Sequence, residues 1–131
     1  MIYFNLWGDY MALFESGEMY LETILILSKQ KKDVRAMDIA EYMGFSKPSV
    51  SRAMGLLEDG GYITRNSESL ISFTDEGMEL AEKIYERHTV IKELLMKIGV
   101  SEKTADEDAC KVEHHISDET FEAIKKKAAE F

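Results

Sequence analysis

Three observations predict a mainly α fold. Helix-period apolar patterning runs through most of the chain, Ser46-Lys47-Pro48 opens a helix whose outer face is small and polar, and two short β-prone runs follow that helix. This is the order of a winged helix-turn-helix followed by a helical lobe. The 131 residues suffice for one domain or two small lobes, and 45% hydrophobic with 31% charged residues supports a packed core rather than disorder.

The first clear helix is expected over residues 17–29, where Met19, Glu22, Ile26 and Leu27 set a polar patch into an apolar stripe at spacings of three and four. Residues 1–14 are apolar-rich but carry Asn5 and Asp9 and lack the basic start of a signal peptide. They read either as an arm that packs on a partner or as further turns of helix. Residues 37–43 place Ile39, Ala40 and Met43 on one face, and Gly44 stops that helix. Ser46 can cap the next helix, with Pro48 in its first turn. Val50, Ala53, Met54 and Leu57 then face inward. The opposite face presents Pro48, Ser51, Arg52 and Gly55, with Ser49 on the flank and Lys47 in the first turn.

Gly60-Gly61 ends this helix, and Tyr62-Ile63-Thr64-Arg65 and Leu70-Ile71-Ser72-Phe73, joined by a polar turn, read as a hairpin. Thr74-Asp75-Glu76 opens a long helix whose apolar face carries Ala81, Ile84, His88, Ile91, Leu95 and Ile98, and Gly99 closes it. Ser101 can cap a helix running to about His115, and Ser117 a last one to the C-terminus.

Acids outnumber bases 25 to 16, for a net charge of −9, which excludes a protein whose whole surface coats nucleic acid. The charge is uneven. Residues 28–65 carry seven bases (Lys29, Lys31, Lys32, Arg35, Lys47, Arg52, Arg65) against five acids (Asp33, Asp38, Glu41, Glu58, Asp59), a net of +2, which leaves −11 for the rest. Positive charge confined to the segment expected to meet phosphate is consistent with DNA binding. The competing reading of the pattern alone is a helical core with a hairpin that binds protein. A single cysteine, Cys110, excludes an intramolecular disulfide and points to the cytosol; no apolar run approaches the roughly 20 residues of a membrane span. With no phosphate loop, nucleophile elbow or spare acid–base pair, an enzyme acting on a small organic substrate is not expected.

Cys110, Glu113 and His114 stand at i, i+3 and i+4, so a helix would present thiolate, carboxylate and imidazole within an arc of about 100°. That is a metal-ligand set, although a small core cysteine beside a solvated Glu-His pair would look the same. Met19 and Glu22 form a second pair on the first helix, and His88 lies on an otherwise apolar face. Soft sulfur donors mixed with hard carboxylates suit a borderline ion such as Fe(II) better than Mg or Ca. A metal shared by the first helix and the Cys110 segment would make DNA affinity depend on metal.

Ser16-Gly17-Glu18-Met19-Tyr20-Leu21-Glu22-Thr23-Ile24, the helix-turn-helix from Asp38-Ile39-Ala40 to Ser46-Lys47-Pro48-Ser49-Val50-Ser51-Arg52, the hairpin, Arg87-His88, and Asp108-Ala109-Cys110-Lys111-Val112-Glu113-His114 together resemble the diphtheria toxin repressor family and its manganese-transport-regulator branch. The resemblance covers residues 16–131. It implies a dimeric cytoplasmic repressor that binds double-stranded operator DNA when loaded with Fe(II) or Mn(II), in a two-domain form without an SH3-like third domain: DNA binding in residues 1–74 and metal binding and dimerisation in residues 75–131. It further implies Met19, Cys110, Glu113 and His114 as the iron-type primary site. Glu22 and His88 match ligand positions of the manganese branch. Sulfur at Met19 and Cys110, where that branch has carboxylates, leans toward Fe(II). Lys92 stands where the iron branch's ancillary site has a carboxylate and Asp106 where it has a histidine, so that set is incomplete; a second metal on Glu22, His88 and Glu113 stays open. For DNA the resemblance implies Pro48, Ser49, Ser51 and Arg52, to which the helix start and the local positive charge add Arg35, Ser46, Lys47 and Arg65 as candidate contacts. The alternative is a metal-independent winged-helix regulator with a structural Cys/Glu/His cluster.

Overall fold

The computed structural model describes the backbone of residues 2–131 and the side chains from Ser16 onward. Six helices and one hairpin follow one another among the described residues: α1 (Ile2–Gln30), α2 (Ala36–Met43), α3 (Lys47–Asp59), β1 (Ile63–Arg65), β2 (Ile71–Phe73), α4 (Asp75–Lys97), α5 (Glu102–Val112) and α6 (Asp118–Ala128). They form two compact units, Met1–Glu82 and Lys83–Phe131, divided within α4. No described helix is long and apolar enough to cross a membrane.

In Met1–Glu82, α1, α2 and α3 pack on one another around Leu21, Ile24, Ile39, Val50 and Met54, with Ile63 and Ile71 of the hairpin buried beside them. The turn between α2 and α3 follows from local chemistry. Gly44 ends α2 in the left-handed region at φ 72, and Ser46 caps α3 by accepting the Ser49 N–H. The strands pair antiparallel with Ile63 opposite Phe73. Asn66 Oδ1 closes their turn by accepting from Glu68 N and Leu70 N at 2.9 and 3.0 Å. Thr74 then accepts from Gly77 N at 3.1 Å to cap α4, and its own backbone N–H is bonded to the Tyr62 carbonyl. A Cβ at Gly77 would stand 1.8 Å from that carbonyl oxygen, so only glycine lets α4 start against the hairpin.

In Lys83–Phe131, Ser101 and Ser117 cap α5 and α6 as expected, and Ile84, Ile91, Ala105, Ala109, Phe121 and Ala128 are buried. Of the two readings of the segment before Gly17, the backbone follows further turns of helix: α1 begins at Ile2. The expected packing of the 1–14 arm on a partner lies outside the described side chains. Ile98 does not extend the apolar face of α4. It is 60% exposed because the helix ends at Lys97 and Gly99 turns the chain at φ 108. α5 ends at Val112 rather than near His115, so residues 113–116 form a turn.

Candidate metal centre and nucleic-acid interface

The turn at 113–116 does not scatter the expected ligands. Glu113, the C-cap of α5, keeps helical φ and ψ and donates its N–H to Ala109 O at 3.0 Å, so it retains its i+3 relation to Cys110. α4 brings His88 to the same place. The nitrogen, sulfur and carboxylate donors of His88, Cys110 and Glu113 lie within 4.8 Å of one another. His88 Nδ1 is 2.9 Å from Glu113 Oε2, and Nε2 is 2.8 Å from Asp106 Oδ1. Glu113 is 1% exposed, His88 is half-buried, and Cys110 reaches solvent. His114 also has a buried side chain, with Nε2 3.2 Å from Glu113 Oε1. Met19 and Glu22 lie on α1 of the other unit, half-buried and buried.

The anionic surroundings act on the imidazole. A hydrogen bond with Cys110, then those with Glu113 and Asp106, outweigh burial and push the His88 pKa up to about 11. The same contact holds the Asp106 carboxyl below its usual range, helped by Lys92. Arg87, neighbouring His88 on α4, keeps the turn in place. Its buried guanidinium donates to Glu113 O at 3.2 Å and Ile116 O at 2.8 Å, pairs with Asp118, and lies 5.3 Å from the Phe121 ring centre. Lys83 shares Asp118 at 2.9 Å.

This donor set fits a divalent transition ion. Ligands about 2.0–2.3 Å from one ion lie within about 4.6 Å of each other, so three groups already within 4.8 Å close on an ion with small shifts. Imidazole, sulfur and carboxylate together favour a borderline ion over magnesium or calcium.

On the other unit, α3 exposes Lys47, Pro48, Ser49, Ser51 and Arg52 together, while Val50, Met54 and Leu57 are buried. Ser46 is committed to its cap and donates to Ser49 Oγ at 2.9 Å. Arg35 and Arg65 have structural partners. Arg35 precedes α2, its backbone N–H bonds Asp38 at 2.8 Å, and its Nε donates to the Glu68 carbonyl of the hairpin turn. Arg65 pairs with Glu58 of α3 at 2.9 Å. Lys31 holds Asp38 at 2.7 Å, which lowers that carboxyl's pKa.

Sequence reading missed two contributors. Arg87 was noted only as a neighbour of His88, and its signal was a base on an apolar helix face. Asp106 was noted only as a replaced ligand; its position one helical turn before Cys110 placed it on the same face.

Two family models match the chain. Residues 12–69 match the family described as iron dependent repressor, N-terminal DNA binding domain, and residues 74–131 match iron dependent repressor, metal binding and dimerisation domain. An uncharacterized HTH-type transcriptional regulator of Methanocaldococcus jannaschii is 34% identical over 113 residues, covering 85% of this chain and 90% of the relative. The transcriptional regulator MntR of Escherichia coli O157:H7 is 34% identical over 106 residues, covering 81% and 68%. Among solved structures, the manganese regulator SloR superposes with a TM-score of 0.78 at 28% identity over 86% of this chain. The chain spans about half the length of that protein, 53%.

Proposed function

The chain belongs to the iron-dependent repressor family, and from that premise we propose that it is a metal-dependent transcriptional repressor of metal-homeostasis genes, binding double-stranded operator DNA as a cytoplasmic homodimer when loaded with Fe(II) or Mn(II). What supports this most is the convergence of His88, Cys110 and Glu113 from separate segments of one unit. In this reading residues 1–74 form the DNA-binding domain and residues 75–131 the metal-binding and dimerisation domain.

Glu113 gives a buried carboxylate whose place is fixed by Arg87, Cys110 gives a thiolate from the surface side, and His88 gives Nδ1 after losing its proton to solvent. Met19, Glu22 and His114 are assigned as further ligands on the sequence pattern alone, and a second ion on Glu22, His88 and Glu113 is the alternative stoichiometry. When bound, the ion supplies positive charge that offsets the thiolate and carboxylates. Ligands drawn from both α1 and α5 make operator affinity a function of metal. The sulfur donors favour Fe(II); Mn(II) is the competing ion, since the similar protein SloR is named a manganese regulator.

On DNA, α3 enters the major groove with Ser49, Ser51 and Arg52 toward base edges, Arg52 favouring guanine or phosphate. Lys47 and Pro48 lie at the groove entrance, and Arg35, Ser46 and Arg65 flank the backbone. Two copies meet two-fold half-sites. An anaerobic titration of DNA selected from a random pool, with Fe(II), Mn(II), Zn(II) or chelator, tests the reading. Affinity rises sharply with Fe(II) or Mn(II) and is lost with chelator; equal binding in all four conditions leaves the metal-independent regulator.

A further inference from the structure

We propose that Asp106 is a positioning residue of the metal centre, which accepts the Nε2–H of His88 and so keeps Nδ1 turned toward Cys110 and Glu113. This rests on the metal-site reading above. A histidine can give only one ring nitrogen to an ion, and the other must carry the hydrogen and find an acceptor for ring and tautomer to be defined. The two nitrogens of His88 face different partners. Nδ1 is 2.9 Å from Glu113 Oε2, among the donor atoms, and Nε2 is 2.8 Å from Asp106 Oδ1, on the far side of the ring. If the ring were turned about, Nε2 would meet the donors and Nδ1–H would have to use Asp106.

The placement of Asp106 also fits this role. It precedes Cys110 by four residues on α5, so one helix delivers both a ligand and the group that orients another ligand. Its own position is secured by Lys92 of α4, whose Nζ lies 3.5 Å from the same Oδ1 and 3.6 Å from Glu102 Oε1. The ammonium beside it disfavours a cation on Asp106 itself, which separates this carboxylate from the ligand Glu113. With a side chain 54% exposed, Asp106 can be replaced without opening the core, unlike the fully buried side chain of Glu113.

The test compares Asp106→Ala and Asp106→Asn with the unaltered chain in anaerobic titrations with Mn(II) and Fe(II). Circular dichroism of the metal-free proteins checks the fold. Asp106→Ala is expected to bind about 10- to 100-fold more weakly. Asp106→Asn keeps an acceptor oxygen and recovers most of that loss. In Zn(II)-loaded, 15N-histidine-labelled protein, His88 shows one ring tautomer with a slowly exchanging Nε2–H, which Asp106→Ala abolishes. Alanine binding as tightly as aspartate, or asparagine no better than alanine, overturns the inference while leaving the metal site standing. Failure of the unaltered chain to take up either ion overturns both.

Discussion

Met1–Glu82 folds around aliphatic side chains, with Glu22 and Thr23 the buried polar residues among its described side chains, and satisfies its helix ends through Ser46, Gly44 and Thr74. Lys83–Phe131 is shorter and places Arg87 and Glu113 in its interior beside His88. Apolar burial is insensitive to pH and to ions, whereas buried charge is favourable only while its partners keep the right protonation state. The longer unit therefore owes most of its interior to apolar burial, and the shorter one carries more of the groups whose charge can change. Each variant below tests one side of that contrast.

The largest effect is expected at Gly77. Gly77→Ala drives a Cβ into the Tyr62 carbonyl and should cost about 3 kcal/mol or more, read as a lower urea midpoint. On the other side, Arg87→Met leaves two turn carbonyls without their donor and should cost about 2–3 kcal/mol; it should also weaken metal uptake, because the Glu113 backbone is no longer held.

The shorter unit should also show a pH signature above neutrality, set by His88. Because the folded His88 pKa is raised from 6.5 to about 11, its ionic contacts stabilise the metal-free fold fully below pH 6.5. That contribution falls as pH rises toward 11. Metal binding must remove the same proton, so affinity tightens across this window by up to about tenfold per pH unit for each proton released. Calorimetry in buffers of different ionisation enthalpy counts the protons, and His88→Gln should flatten both profiles. The smallest effect belongs to Ser46→Ala, which removes the α3 cap at a cost of about 1 kcal/mol and should leave metal affinity unchanged.

The sequence made the local features legible. Gly44, Ser46, Ser101 and Ser117 act through bonds that close within four residues, Pro48 acts through its fixed φ in the first turn of α3, and each stands where its type requires. The polar turn of the hairpin was equally readable, since Asn66 bonds its own loop. The end of α5 was not. Its stop at Val112 is marked by neither glycine nor proline, and Arg87 holds the following turn from 26 residues away in sequence. The start of α1 is open in the sequence between an arm and further turns of helix, because residues 2–15 are apolar without a clean helical period. At the metal site, Cys110 and Glu113 were found by spacing, but the approach of His88 and its tie to Asp106 depend on α4 packing against α5.

One measurement tests most directly whether operator reading by α3 depends on metal held at Glu113: metal uptake and operator binding followed together, under anaerobic Mn(II) and Fe(II) titration, for the unaltered chain, Glu113→Gln and Arg52→Ala. The unaltered chain should gain operator affinity as metal loads. Glu113→Gln should lose metal uptake and with it the gain, and Arg52→Ala should load metal normally but bind the operator weakly at every metal concentration. Operator affinity in Glu113→Gln that rises with metal as in the unaltered chain would contradict that dependence.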